Sequence, residues 1–457
     1  MKEKAAQASF PRAISTMLGM MSGTQATDKE VRGMMRALPA MSAMMETFML
    51  EPDIREVALP FMEIQSSYLQ NLSNAHKEGK KIAFENFNFP PAILYAMDIV
   101  PLSPEVISSL LSIGVPKGVF RFLDYTTGIG IPETMCTAQR GGVGVILSGL
   151  IEKPDMVLNM ASGSCDTNSK MFDFISEYLH IPFCNIDAPP YWDEGGEMMR
   201  YYQQEYRKLV AFLEEQTGNK LDEDKLRQCC KEAKKQDEYV AEIYDLRRAV
   251  PNPVPAIFNF MMFGTRFMSS GTPQATKVME TMYEVVKERY KKGEGVLPRE
   301  KARAGFVYLG HFTMGGEFWR WLEHNGISLI MEGLAILGHQ HYTIDTSTVD
   351  TMLDSLAGQA HNMIMTKQIR GPLDYPGQWF EDIATLAKDL NIDCAIYLGT
   401  MGCKNTWGGI KVLMKMIEEE LEIPTLIIHS DTWDDRVTPW PTIRDQIEEF
   451  VNTVVVQ

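Results

Sequence analysis

The 457-residue sequence is short of basic residues: 44 Lys and Arg stand against 60 Asp and Glu, a formal net charge of −16. Nucleic-acid surfaces rely on clustered cations, so this balance argues against a general nucleic-acid binder and leaves room only for a local basic pocket. Long apolar runs are lacking too. No stretch reaches the ~18 residues of a membrane span, and the opening "MKEKAAQASFPRAIS" scatters its apolar residues among charged ones, unlike a signal peptide. Both absences predict a cytoplasmic protein with no membrane partner. Cysteine is scarce: seven in the whole chain, too few for a disulfide scaffold, and with no CxxC pair of the kind that closes a structural zinc site. Neither HExxH nor GxxxxGK[ST] occurs, and the GxG of "TGIGIPE" lacks the rest of a dinucleotide fingerprint. Any ATP or nicotinamide chemistry must then come from another polypeptide.

What is present is a globular composition, 45% apolar and 23% charged, in a chain long enough for two or three domains. Residues 1–75 are Met-, Leu- and Ala-rich with a spacing near 3.6, which predicts a helical N-terminal arm that packs against something. From Lys80 short apolar runs ("KKIAFEN", "DIVPLSP", "DMVLNMAS", "IPFCNIDAPP") alternate with helical stretches ("PPAILYAM", "KMFDFISEYLH"), the pattern of a parallel sheet covered on both faces. Residues 196–300 read as a helical connector, with a stop at Gly218 and a start at Asp222–Glu223. Strands return in "RAGFVYLGH", "ISLIMEGLAI", "DCAIYLGT" and "IPTLIIHSD". The expected fold is therefore α/β: two doubly wound, flavodoxin-like parallel-sheet domains (76–195 and 301–457) joined by the connector.

The two α/β units echo each other. In each, a strand leads to a glycine–cysteine turn, a helix, an Ile-Pro step and another strand; Cys165 precedes Ile181 by 16 positions and Cys403 precedes Ile423 by 20. In doubly wound sheets ligands collect at the carboxyl ends of the strands, where both cysteines are expected. Cys136, in "IPETMCTAQRGGVG", opens a helix of small residues. A thiol at a helix N-terminus is expected to have a lowered pKa and to become a thiolate ligand easily. The bland alternative, a buried small hydrophobe, is reasonable for any one of the three and much less so for all of them. Cys184 and Cys394 read as strand core, and Cys229 and Cys230 as structural residues of the connector. Three thiolates from two domains suit a metal site in the cleft. A [4Fe–4S] cluster takes four cysteines as a rule, so three would leave one iron open to a substrate oxygen. His339 and His341 form a pair of possible ligands or a polar loop. His311 and His429 stand at strand ends, where either lines the cleft or is core.

The quoted segments also resemble, over nearly the whole chain after the arm, the 2-hydroxyacyl-CoA dehydratase and benzoyl-CoA reductase family of iron–sulfur subunits. "PPAILYAMDIVPLSPE" is similar to the family's segment after its first strand. "MCTAQRGGVG", "SGSCDTNSKMFDFI" and "MGCKNTWGG" resemble its three cluster-cysteine regions, and "TIRDQIEEFV" its closing helix. The resemblance implies a [4Fe–4S] cluster on Cys136, Cys165 and Cys403, with the fourth iron position taken by water, substrate or a neighbouring side chain. It implies work in a pair with a related subunit or a second copy, and an acyl-CoA substrate. A separate ATP-hydrolysing activator would deliver a low-potential electron. In a dehydratase that electron gives a ketyl radical at the thioester carbonyl and lets the 2-hydroxyl leave; in an aromatic reductase two electrons enter the ring. Asn86, Asn88, His311 and Glu317 are expected near the open iron, because they stand at or just after strand ends. A non-catalytic electron-relay subunit and a zinc-bound α/β binding protein are the competing readings. A second cubane would require Cys184 or Cys394 to turn inward.

Overall fold

The computed structural model describes residues 10–22, 27–37, 39, 42–115, 117–160, 165–189, 195–333, 343–363 and 377–456. Among them, eight short strands form two four-stranded parallel sheets. β1 (Ile82–Glu85), β2 (Val100–Leu102), β3 (Met156–Asn159) and β4 (Phe183–Asn185) lie in the order β2-β1-β3-β4. β5 (Ala302–Phe306), β6 (Ile327–Glu332), β7 (Cys394–Leu398) and β8 (Thr425–Ile428) repeat that order as β6-β5-β7-β8. All eight fall in runs expected to be strands.

The repetition extends to single hydrogen bonds. One residue before β3, Asp155 accepts from the Ile82 N–H at 2.8 Å and donates its own N–H to the Ile82 carbonyl at 2.8 Å. One residue before β7, Asp393 closes the same ring with Arg303, again at 2.8 Å in both directions. The carboxylate satisfies a strand-end donor that has no ladder partner, and so fixes the register of the first and third strands in each unit.

Successive strand side chains point to opposite faces, and the first sheet shows this in its cores. Ile82, Phe84 and Val157 join one buried cluster; Ala83, Met156 and Leu158 join another. The second cluster is closed by Tyr202, Tyr206, Leu209 and Leu213 of the helix Glu197–Thr217 and by Met352, Leu353, Leu356 and Ala360 of the helix Val349–Asn362. The stretch expected to be a mere connector therefore covers one face of the first sheet. Its helix punctuation follows the sequence: Gly218 ends one helix at φ 73°, and the Asp222 carboxylate caps the next by accepting from the Asp224 and Lys225 N–H groups.

The N-terminal arm is likewise part of the body. Helix Pro52–Asn74 buries Val57, Phe61, Met62, Tyr68 and Leu72. Its Tyr68 hydroxyl accepts from the Ser103 N–H at 3.0 Å, just ahead of the helix Pro104–Gly114. Met44, Met45 and Met49 join the same core, where unbranched thioethers fill irregular gaps. Among the described residues no helix is long and apolar enough to cross a membrane.

Candidate functional site: three thiols around one cavity

Each of the three cysteines singled out above occupies a helix N-cap. Cys136 precedes the helix Thr137–Leu147, Cys165 the helix Asp166–Leu179, and Cys403 the helix Lys404–Leu421. Cys165 and Cys403 follow the third strand of their respective sheets, β3 and β7, so the two sheets present them from matching positions. All three thiols line one cavity of about 560 Å³. Phe87, Phe263, Leu309 and Trp433 supply large apolar side chains to the wall, and its polar residues include Glu105, Gln139, Asp166, Asn168 and Tyr308.

Two glycines let these elements meet. A Cβ on Gly402 would stand 2.5 Å from the Cys136 Cα and from the Met135 carbonyl oxygen, so the turn carrying Cys403 lies directly on the backbone carrying Cys136. A Cβ on Gly142 would stand 2.3 Å from the Pro104 carbonyl oxygen, so the Cys136 helix lies against the start of the helix that carries Glu105. Further bonds tie the two units together around the cavity. The Thr137 hydroxyl donates to Asp431 at 2.6 Å, the Trp433 indole N–H to the Ser109 hydroxyl at 3.0 Å, and Lys404 pairs with Asp166 at 3.1 Å. Asp431 is fully buried and also accepts the Trp433 and Asp434 N–H groups, which positions Thr137 and hence Cys136 from the opposite unit. Replacing Gly402 with Ala should overpack this junction at a cost of about 1–3 kcal/mol. The melting temperature is expected to fall; an unaltered melting curve would show that the junction is not tight.

The electrostatics run against one expectation. Helix N-termini favour thiolates, but burial in this largely apolar wall pushes the Cys136 and Cys165 thiols well above their ordinary range, and the neighbouring sulfurs push them further. Helix ends are worth about 0.3–1 kcal/mol to a nearby charge, whereas burial shifts a group by up to roughly 3–5 pKa units. Desolvation wins, and ionising the Cys136 and Cys165 sulfurs requires a compensating cationic group in the cavity. Sulfurs from three separate helix ends line one space, a donor set that could hold a metal cluster larger than a single ion. Among the described residues no three His, Cys, Asp or Glu side chains converge on a single metal position. The Tyr308 hydroxyl lies 3.7 Å from the Cys403 sulfur, and the Cys136 N–H donates to the Thr167 hydroxyl at 3.5 Å.

Glu105 was not singled out from the sequence. Ser-Pro-Glu at 103–105 reads simply as a helix start, with Pro104 at the first helical position and an acid in the first turn. In the structure the Ser103 hydroxyl makes no cap bond and instead donates to the Glu105 carboxylate at 2.9 Å. Asn168 donates to it at 3.2 Å and Gln139 makes a further bond. Burial raises its pKa to about 7, against the opposing pull of those donors. A carboxyl group of that pKa, buried on the wall of a thiol-lined cavity, is suited to proton transfer near neutral pH.

The other candidates lie elsewhere. Asn86 and Asn88 are buried, bond to each other, and grip residue 160 at the end of β3 through the Met160 N–H at 3.0 Å and its carbonyl at 3.3 Å. Phe87 between them is the residue that faces the cavity. His311 was expected near the open iron and does not line the cavity, whose wall on that side is Tyr308 and Leu309. By position 312 the chain has bonded to the Thr432 carbonyl at 3.0 Å, which draws His311 behind the wall. There it bonds Thr313 at 2.9 Å and lies 5.7 Å from the Trp440 ring, and burial lowers its pKa to about 4. Glu317 opens the helix Glu317–His324 and is also absent from the wall. His429 stacks on Trp407 at 4.5 Å. His339 and His341 lie outside the described residues. Cys184 sits on β4, Cys394 is buried in β7, and Cys229 and Cys230 lie within the helix Glu223–Leu246; none of the four lines the cavity.

Residues 86–454 match the family model described as 2-hydroxyglutaryl-CoA dehydratase, D-component. The chain is 22% identical over 421 residues to one of the subunits of benzoyl-CoA reductase from Thauera aromatica, an alignment covering 86% of this chain and 93% of the relative. It is 21% identical over 374 residues to the (R)-phenyllactyl-CoA dehydratase alpha subunit of Clostridium sporogenes, covering 79% and 86%. It is 21% identical over 286 residues to the alpha subunit of (R)-2-hydroxyglutaryl-CoA dehydratase from Acidaminococcus fermentans, covering 62% and 57%.

Proposed function

Because the chain belongs to the 2-hydroxyglutaryl-CoA dehydratase D-component family, whose members named above are dehydratase and reductase subunits, we propose that it is the catalytic iron–sulfur subunit of such an enzyme. It acts on a CoA thioester, in a pair with a related subunit or a second copy. A separate ATP-hydrolysing activator supplies its electrons. The observation that carries this reading is the meeting of Cys136, Cys165, Cys403 and the buried Glu105 on one cavity. On this reading the two sheets are two doubly wound, flavodoxin-like domains, flanked by the N-terminal arm and the 196–300 helices, in a cytoplasmic protein.

Cys136, Cys165 and Cys403 would hold a [4Fe–4S] cluster, which when bound supplies low-potential electrons and an open iron for a substrate oxygen. The chain's own residues do the rest. Phe87, Phe263, Leu309 and Trp433 exclude water, which strengthens every charge interaction inside the cavity. Glu105, aimed by Ser103 and Asn168, accepts the substrate proton at its carboxylate and returns it when protonated. We assign this role to Glu105 in preference to His311 or Glu317, on position. Asn86 and Asn88 are positioning residues for Phe87.

Incubating the anaerobic complex with activator and ATP tests the proposal. Turnover of a 2-hydroxyacyl-CoA to an enoyl-CoA assigns a dehydratase, and reduction of an aryl-CoA assigns a ring reductase. A reducible protein that turns over neither class would leave it an electron relay and overturn the catalytic reading.

A further inference from the structure

A second cavity, of about 480 Å³, adjoins the thiol-lined one, and Phe87 is part of both walls. The partition is aromatic. Phe263 lines the first cavity and Phe267, one helical turn on, the second; their ring centroids are 4.4 Å apart, and Phe87 lies 6.4 Å from Phe267. Most of the second cavity is apolar, including Phe89, Pro91, Leu356 and Met363. Into this setting the helix Ile257–Ser269 places Arg266, which is only 7% exposed.

Among the described residues, no hydrogen bond or ion pair reaches the Arg266 guanidinium. Its opposite charge is Asp237, which interacts with it through space. The Asp237 carboxylate is bonded by Gln359 at 2.7 Å, and burial raises its pKa to about 7. A guanidinium largely withdrawn from water with its fork of N–H donors unbonded to protein is unfavourable. That arrangement is what a site for a planar oxyanion looks like before the anion arrives.

We infer that Arg266 is a specificity-determining residue that receives a carboxylate carried on the acyl group of the substrate, whose remaining carbons occupy the apolar second cavity. This rests on the acyl-CoA reading above. The shared wall argues for the acyl end of the thioester: Phe87 lines both cavities, so the space beside Arg266 adjoins the one that holds the thiols. The CoA phosphates lie beyond the length of the pantetheine arm.

Calorimetric titration of the anaerobic, cluster-loaded complex tests the inference without requiring turnover. The probes are glutaryl-CoA, its terminal amide, and free CoA. The wild type should bind glutaryl-CoA roughly 10- to 100-fold more tightly than the amide, the range expected for hydrogen bonds to a charged group. Arg266→Gln should erase that preference and leave the amide and free CoA within about twofold of wild type. Arg266→Lys should retain part of it, and it decides the matter if the Gln variant fails to fold. An equal affinity of wild type for acid and amide, or a preference that survives Arg266→Gln, overturns the inference alone. Loss of free CoA binding in parallel with glutaryl-CoA would assign Arg266 to a CoA phosphate and overturn it as well. If the wild type binds none of the three, the acyl-CoA reading falls together with the inference.

Discussion

A Cys403→Ala variant purified without oxygen is expected to lose or degrade its cluster, falling well below the about four irons per chain of a complete [4Fe–4S] group. Cys229→Ala should keep the full complement. Cys403 is one of three anchors, each at a separate helix end on the same cavity. Removing it leaves two thiols to hold a group that already lacks a fourth. It also leaves the Tyr308 hydroxyl without the sulfur it approaches at 3.7 Å. Cys229 is equally a cysteine, but it sits within the helix Glu223–Leu246 and takes no part in the wall. The pair of variants separates the position of a thiol from thiol content as such. Full iron content in Cys403→Ala would refute the ligand assignment.

The second large effect is expected at Glu105. Glu105→Gln preserves the shape of the side chain and removes its capacity to carry a proton. General acid–base groups contribute roughly 10²- to 10⁴-fold to rate, and kcat should fall by an amount in that range. Iron content should stay at the wild-type level, because Glu105 is no part of the proposed ligand set. Glu317→Gln, outside the cavity wall, should stay within a few-fold of wild type. The reverse ranking would return the proton to the strand-end acid expected from the sequence. Loss of iron in Glu105→Gln would instead make Glu105 a ligand.

Much of the frame was legible because its signals are local. All eight strands fall in short apolar runs, and the Gly218 stop and Asp222 start depend on the chemistry of single residues. The matched positions of Cys165 and Cys403 were legible for the same reason: the same strand, thiol and helix recur in order. What was missed depends on tertiary contact. His311 was expected at a strand end, yet β5 stops at Phe306 and the backbone pairing of residues 312 and 432 leaves it off the wall. Asn86 and Asn88 also follow a strand, but the chain turns there, with the Phe89 N–H bonded to the Asn86 carbonyl at 2.8 Å, and it is Phe87 that lines the cavity. Glu105 was hidden by a sufficient local explanation, a helix start, and its place on the cavity is visible only once Asn168 and Gln139 are seen to converge on it. The raised thiol pKa values have a similar origin, since burial is a property of the assembled cavity and the helix end is a property of the sequence.

The most direct measurement is iron and acid-labile sulfide per chain, with EPR before and after reduction, on protein kept anaerobic throughout. The proposal predicts close to four of each per chain and a paramagnetic signal on reduction that is lost in Cys403→Ala. Zinc without iron, or iron that survives in that variant, would contradict it.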